Sequence, residues 1–483
     1  MLRRRHFVPA LLAISGIAIV LYLFAPTEYE YDPEKWDSYW RGSGHKDIAV
    51  GLGHQRSVQA SCDRCAVVPE FCAQVGSRNL DLVSAYEGSG DRIRRVLAKA
   101  ARGEPIVYGI IGGSLSRGHG CHCTTFHRQI FDWINATWPH EGHRYVDGSV
   151  GARGSNYFKF CHIEHLPQDA DIVVLELSLN DEAKEDHAKN LESMLRAILM
   201  YPNKPAVLML ASFSLMGQLK MGGDAHLSVA QYYDVPVLNL RHALLPVMQR
   251  RPAAVDEFFV IESPAGAARD QLHLNLLGPH YARQFATAYL ARQKCQLSHP
   301  QMVMEPQDAK FVETERYSDS IPRLALMNDK WSTDGRAMVE RPSCASIDSV
   351  ANPLQPLPST KGWTKWQQPH TDKHYWRATE PGARFEYTVS LTQGHVMLYY
   401  LRSTKMSLGR VKCWLNDDVK NAVVIDGYWE RTTSIGQFTA LREQSKGPLQ
   451  PGDYTLRCEN MERHYGKEEG RGTTFLIIAV LTV

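Results

Sequence analysis

The sequence predicts a three-layer α/β/α domain built on a parallel sheet, followed by an all-β sandwich or jelly roll. Three observations carry this. Between residues 105 and 294, short and nearly continuous apolar runs alternate with segments of helical period, the pattern of strands buried between crossover helices. After residue 340 the helical period disappears, and short runs, many of them alternating, are separated by Gly, Pro, Asn and Asp. Finally, 483 residues exceed what one ordinary core accommodates.

The elements follow in order. Residues 27–100 read as a stem and lead-in, with a helix over 79–101 that ends in the basic stretch Arg92 to Arg102. The α/β domain spans 101–295. Its first strand is Ile106-Val107-Tyr108-Gly109-Ile110-Ile111, an apolar run suited to burial on both faces. A helix follows over 124–138, with Phe126, Ile130, Trp133 and Ile134 on one side. Asp171 to Leu177 is the next buried strand, and 181–200 a helix with Leu191, Leu195, Ile198 and Leu199 on one face. Ala206 to Ala211 and Val235 to Leu240 are further strands, and His280 to Arg292 closes the domain as a helix. Residues 296–340 form a polar linker with Pro300, Pro306 and Pro322. In the β domain, 341–483, Phe385, Tyr387, Val389 and Leu391 alternate. Cys413 shares a strand face with Val411 and Leu415, and Cys458 with Tyr454 and Leu456, so a core-facing disulfide is predicted between them.

Composition narrows the class. Hydrophobic residues make up 44% and charged residues 22%, and the formal net charge is +2. That profile suits a folded protein and argues against a nucleic-acid partner, as does the lack of a long basic stripe. Arg3, Arg4 and Arg5 precede a mostly apolar run from Phe7 to Pro26. A run of about 20 such residues spans a bilayer, and arginines on its short flank keep that end cytosolic. Residues 7–26 are therefore expected as a signal anchor and 1–6 as a cytosolic tail. The chain then reads as a single-pass type II membrane protein with its catalytic region lumenal, in the Golgi or ER, or extracellular. A cleaved signal peptide is the competing reading and leads to the same side of the membrane. Ten cysteines, an even number, suit an oxidising compartment. Cys62, Cys65 and Cys72 cluster early, and Cys121, Cys123 and Cys161 surround the first motif below. Half a zinc knuckle at Cys62-x-x-Cys65 is the rival, but no second half matches it. Asn135-Ala136-Thr137 is a glycosylation sequon within a predicted helix.

Two motifs carry chemistry. Ile110-Ile111-Gly112-Gly113-Ser114-Leu115-Ser116-Arg117-Gly118 follows the first strand, so Ser114 is presented at the carboxyl edge of the sheet. Asp270-Gln271-Leu272-His273-Leu274-Asn275 precedes the closing helix. A serine hydroxyl needs a base to take its proton, and a histidine base needs a carboxylate to orient it. The three-residue spacing lets Asp270 hold one ring nitrogen of His273 while the other faces Ser114. The oxyanion needs donors. Asn180, after the second buried strand, can offer its amide, although a helix N-cap is its plain structural alternative. The segment Asp147 to Ala152 can offer a backbone N–H. Glu176 is a buried acid of that second strand. Arg117, His119 and His122 flank the serine loop and could meet an anionic substrate, although loop surface is the plainer reading for these two histidines and for His162 and His165. Trp363, Trp366 and Trp376 could stack on sugar rings or form half-buried core.

These blocks resemble those of the SGNH (GDSL-type) hydrolase superfamily over roughly residues 105–294. Ser114 matches the serine block, Gly148 to Ala152 the glycine block, Asn180 the asparagine block, and Asp270 with His273 the closing block. The resemblance implies a flavodoxin-like fold and cofactor-free, metal-independent serine chemistry. It also implies an oxyanion hole made by the Ser114 N–H, a glycine-block N–H at Gly151 or Ala152, and the Asn180 side chain. Two departures stand out: Gly113 replaces an aspartate, and Ser178 replaces a glycine. The expected function is a serine esterase that removes an acyl group, an O-acetyl, from a glycan through an acyl-serine. A glycan O-acetyltransferase would use the same triad. A non-catalytic glycan-binding protein on a retired hydrolase fold is the alternative from another class, motivated by Gly113.

Overall fold

The computed structural model describes residues 62–119, 124–259, 270–275, 277–299, 320–338, 340, 342–369, 371, 373–430, 434–442, 447–462 and 472–483. The expected cytosolic tail, the expected anchor at 7–26, most of the expected stem, Cys121, His122 and Cys123 lie outside these residues. No helix among them is long and apolar enough to cross a membrane.

Short helices α1 (Arg64–Val67), α2 (Pro69–Val75) and α3 (Ser77–Val83) lead into β1 (Ser84–Tyr86) and α4 (Asp91–Ala101). The expected single helix over 79–101 is thus broken. Gly88 and Gly90 between its halves have φ of 68° and 77°, a conformation glycine adopts without strain. The chain continues through β2 (Val107–Gly112), α5 (Phe126–Thr137), β3 (Arg144–Asp147), α6 (Ser155–His165), β4 (Ile172–Glu176) and α7 (Glu185–Leu199). It then passes through β5 (Ala206–Ala211), α8 (Gly222–Tyr232), β6 (Val237–Asn239), α9 (Leu240–Arg250), α10 (Ala254–Phe259) and α11 (Leu277–Leu297).

The sheet order is β1-β6-β5-β4-β2-β3, with every pairing parallel except that of β1 with β6. All residues of β2, β4 and β5 are buried, as their continuous apolar runs require. Tyr108 and Ile110 of β2 enter one core with α4, α5, α9 and α11, whereas Ile111 enters the core under α6, α7 and α8. Strand β3, at the sheet edge, is exposed at Arg144 and Asp147 and half-buried at Tyr145 and Val146, and gave no apolar run to read. The residues described from the expected stem fold onto this part: Cys62 is bonded to Cys295 at the end of α11, and β1 extends the sheet. From β2 the chain steps to β3 on one side and to β4 on the other. A crevice therefore opens at the carboxyl ends of β2 and β4, the switch point where such sheets bind ligands.

The β part contains β7 (Ser343–Ser346), β8 (Trp363–Gln367), β9 (His374–Ala378), β10 (Arg384–Leu391), β11 (Val396–Arg402), β12 (Arg410–Leu415), β13 (Val423–Asp426), β14 (Ile435–Ala440), β15 (Gly452–Asn460) and β16 (Phe475–Thr482). One sheet runs β10-β15-β12-β13 and the other β14-β11-β16-β9-β8, with β7 also on β16; all pairings are antiparallel. Between them Phe385, Val389, Val411 and Leu456 form the sandwich core. Cys413 and Cys458 face each other on β12 and β15 and are joined by a disulfide.

The larger sheet is covered on its other face as well. Tyr375, Tyr399, Leu476 and Ile478 share one apolar core with Phe158, Leu191, Leu195 and Val229 of the helices α6 to α8. The disulfide Cys161–Cys344 joins α6 to β7. Arg153, 1% exposed, places Nη2 at 2.7 Å from Asp348 Oδ2 and lies over the rings of Tyr157 and Tyr399. The α/β and β parts belong to one folded unit, residues 58–483.

Candidate active site

The turn after β2 presents Ser114. Its geometry is local: Arg117 N–H donates to Gly113 O at 3.2 Å and His119 N–H to Ser114 O at 2.9 Å. The segment before α11 brings Asp270 and His273 to the same edge. Ser114 Oγ lies 2.7 Å from His273 Nε2, and His273 Nδ1 lies 2.7 Å from Asp270 Oδ2. A carboxylate only accepts, so Nδ1 carries the ring proton and Nε2 accepts from Ser114. The other carboxylate oxygen, Oδ1, accepts from the N–H of Leu272 at 2.8 Å and of His273 at 3.0 Å. Partial burial pushes the Asp270 carboxyl up, but the His273 hydrogen bond and charge and these two amides outweigh it and hold the group down at about 2. Asp270 is thus an anion across the working pH range, the state in which it orients a base. The ring of His119 packs on His273 with centroids 4.6 Å apart.

The expected oxyanion donors gather around Ser114. A Cβ built on Gly113 would stand 1.8 Å from Asn180 Oδ1, so only glycine lets the Asn180 amide lie against the serine turn. On the other side, a Cβ on Gly151 would stand 4.0 Å from Ser114 Cβ, which places that loop beside the nucleophile. Ala152 turns the chain with a φ of 63°. Among the described residues no protein acceptor takes the N–H of Ser114 or Gly151 or the Asn180 amide. Ser114 and Gly151 line the same cleft, and Asn180 lies against the serine turn at Gly113, so the three expected donors are neighbours around Ser114.

Two buried networks hold these loops; the sequence singled out Glu176 as a buried acid but not its partners, and it did not single out Asp181. Glu176, at the end of β4, accepts from Ser116 Oγ at 3.2 Å through one oxygen, and from Ser212 Oγ at 2.6 Å and Ser178 Oγ at 3.4 Å through the other. It is fully buried, and burial raises its pKa against the pull of the three hydroxyls. Ser116 also meets His127 Nε2 at 2.9 Å, and burial pushes that imidazole down to about 3, so it is neutral. The serine turn, the asparagine turn and the end of β5 are thereby tied to one acid. Asp181 does the same for the oxyanion side. It takes His187 Nδ1 and His226 Nε2, each at 2.9 Å, and the Ser155 N–H at the start of α6, also at 2.9 Å. Helix α7 begins at Glu185 and not at Asp181 as the periodicity predicts, and the Asp181 carbonyl accepts instead from the Gly222 N–H at 3.1 Å.

Other expected residues sit elsewhere. His162 is a buried core residue and not a surface one: its Nδ1 donates to Phe158 O at 3.1 Å, and burial lowers its pKa to about 4. His165 bonds Tyr157 OH at 2.9 Å. Trp363 is buried in the sandwich, Trp376 donates to Leu354 O, and Arg377 covers Trp366 at 4.8 Å; none of the three lines the serine cleft. Cys62 and Cys65 are held in disulfides with Cys295 and Cys72, which removes the zinc-knuckle alternative. Asn135 is exposed on α5.

The serine opens into a cleft of about 520 Å³ lined by Ser114, Arg117, His119, Gly151, Gln367, Thr371 and Lys373. The last three belong to the β8–β9 hairpin. The β part thus forms one wall of the site, which no local sequence signal announces. No family model matches this sequence, and no curated relative does. Among solved structures the fold is similar to that of a two-domain esterase (CEX) active on acetylated mannans, solved alone and with mannopentaose. The TM-scores are 0.59 and 0.61 at 18% identity, over 83% of this chain and 98% and 97% of those chains. At that identity the likeness is one of fold, and it spans both parts of the chain.

Proposed function

We propose that this chain is an SGNH-type serine esterase that removes an O-acetyl group from a glycan. The observation that carries this reading is the unbroken chain Ser114–His273–Asp270, with both links at 2.7 Å, at the carboxyl edge of a parallel sheet. In the proposed sequence His273 Nε2 takes the Ser114 proton as Oγ attacks the ester carbonyl. The Ser114 and Gly151 N–H groups and the Asn180 amide hold the resulting oxyanion. His273 then returns the proton to the leaving sugar hydroxyl, and water repeats the cycle on the acyl-serine. The strand order is the flavodoxin-like one, and the two-part likeness to an esterase active on acetylated mannans supports a glycan ester as substrate.

The Gly113 departure does not favour a retired site, since a side chain there would collide with Asn180. Disulfides at Cys62–Cys295, Cys65–Cys72, Cys161–Cys344 and Cys413–Cys458 support an oxidising compartment. We infer a type II protein of the secretory pathway held by residues 7–26.

The test is covalent labelling of the purified full chain by a fluorophosphonate, beside Ser114→Ala. Labelling that disappears in the variant supports an activated serine, and acetate release into water or onto an added sugar hydroxyl then separates hydrolase from transferase. A folded wild-type chain that stays unlabelled and releases no acetate would sink the reading.

A further inference from the structure

A fully enclosed carboxylate lies behind the expected oxyanion donors. Asp181 follows Asn180 directly, and its side chain is 0% exposed. A buried carboxylate is costly unless donors surround it. Among the described residues no Lys or Arg is paired with this one; its partners come instead from the starts of three helices. The Ser155 N–H opens α6, His187 lies in the first turn of α7, and His226 lies in the second turn of α8. A carboxylate only accepts, so both imidazoles present N–H groups to it. Helix starts carry partial positive charge, which lets an anion stay ionised there without a cation. Burial pushes the Asp181 carboxyl up, but the hydrogen bonds and charge of His187 and His226 outweigh it and hold the group below the usual carboxylate range.

The location matters for the chemistry. The Ser155 amide that Asp181 holds ends the short loop that begins at Gly151, the expected glycine-block donor. That loop presses on the asparagine turn: a Cβ built on Gly154 would stand 2.3 Å from Asp181 Oδ1 and 3.1 Å from Asn180 O. Asp181 therefore joins the loop that carries Gly151 to the turn that carries Asn180, and it does so without lining the cleft.

We propose that Asp181 is a positioning residue that fixes the spacing between Asn180 and the Gly151 loop, so that both serve the oxyanion beside Ser114. This rests on the esterase reading of the same site. Asp181 touches neither the nucleophile nor the cleft, so its influence on the reaction passes through the oxyanion donors. Lost alignment there weakens binding of the transition state, where charge develops, more than binding of the substrate.

The experiment compares the full chain carrying Asp181→Asn, Asn180→Ala or both, with folding checked by thermal melting. The substrate is para-nitrophenyl acetate, a small ester that needs oxyanion donors but no glycan contacts. Asp181→Asn is expected to lower kcat about tenfold with KM within about twofold of wild type. The double variant is expected to fall within about threefold of Asn180→Ala alone, because the spacing no longer matters once the amide is gone. A general loss of packing would instead multiply the two effects. If Asp181→Asn fails to fold, His187→Ala takes its place with the same non-additivity expected, and His187→Asn, which restores a donor near the Nδ1 position, is expected to recover the rate.

Effects that multiply overturn the proposal, as does a kcat for Asp181→Asn within about twofold of wild type or a loss confined to KM. Fluorophosphonate labelling of the wild-type chain is read in parallel. An unlabelled wild type that leaves the ester intact sinks the esterase reading and this proposal with it. A labelled, active wild type whose two losses multiply sinks this proposal alone.

Discussion

At the scale of single residues, the proposed site divides into groups assigned to the chemistry and groups that hold them. Substituting Ser114 or His273 by Ala should cost on the order of 10³-fold or more in acetate release, and Asn180→Ala roughly 10²-fold, the loss expected for one oxyanion donor. A threefold or smaller effect at His273 would remove it from the base role. The holding groups predict pH behaviour. His127 is pushed down to about 3 by burial. Its neutral form therefore supports the fold above its unfolded value of about 6.5, and that contribution is lost as pH falls through this window toward 3. Glu176 behaves oppositely: its folded pKa is raised, so its contribution is present below about 4.3 and declines as pH climbs toward the folded value. Glu176→Gln keeps the shape and cannot ionise. The melting temperature of this variant relative to wild type should rise as pH increases from about 4. A difference that does not change with pH would mean that Glu176 does not titrate between the two states.

At the scale of elements, the strands of the parallel sheet were plain in the sequence because burial on both faces demands unbroken apolar runs. The hydrogen-bonded alignment of Ser114, His273 and Asp270 was readable for a similar reason: Ser114 follows such a strand directly, and Asp270 and His273 are close enough in sequence to meet within one turn. Edge strand β3, polar and half exposed, offered no such run. Lys373 and the Glu176 hub were beyond reach because both depend on which loops tertiary packing brings together. One signal was present and unread. The runs Val396 to Leu401 in β11 and Phe475 to Thr482 in β16 do not alternate, although a sandwich strand with one wet face should. The structure supplies the reason: these strands lie between the partner sheet and helices α6 to α8. The disulfide Cys161–Cys344 pins the same junction, with a sequence separation of 183. Replacing both cysteines by Ser should cost about 2–5 kcal/mol, read as an earlier midpoint in denaturant. An unchanged midpoint would mean that packing alone secures the junction.

At the scale of the whole molecule, the two parts are not an enzyme and a detachable binding module. A chain ending at residue 295 would expose the apolar faces of α6 to α8 and leave Arg153 buried without Asp348. It should be recovered insoluble or unlabelled by the fluorophosphonate. A soluble, fully labelled truncation would show that the β part is dispensable to the site. The inverse cut, leaving residues 341–483, should aggregate through the outer face of its larger sheet.

The buried face that unites the parts also fixes the width of the cleft. Its floor and its hairpin wall belong to one folded unit, joined near β7 by a disulfide and an ion pair, so the depth of the gap is set by how the two parts pack. Under the proposed function, a change in that packing would change which glycans reach Ser114.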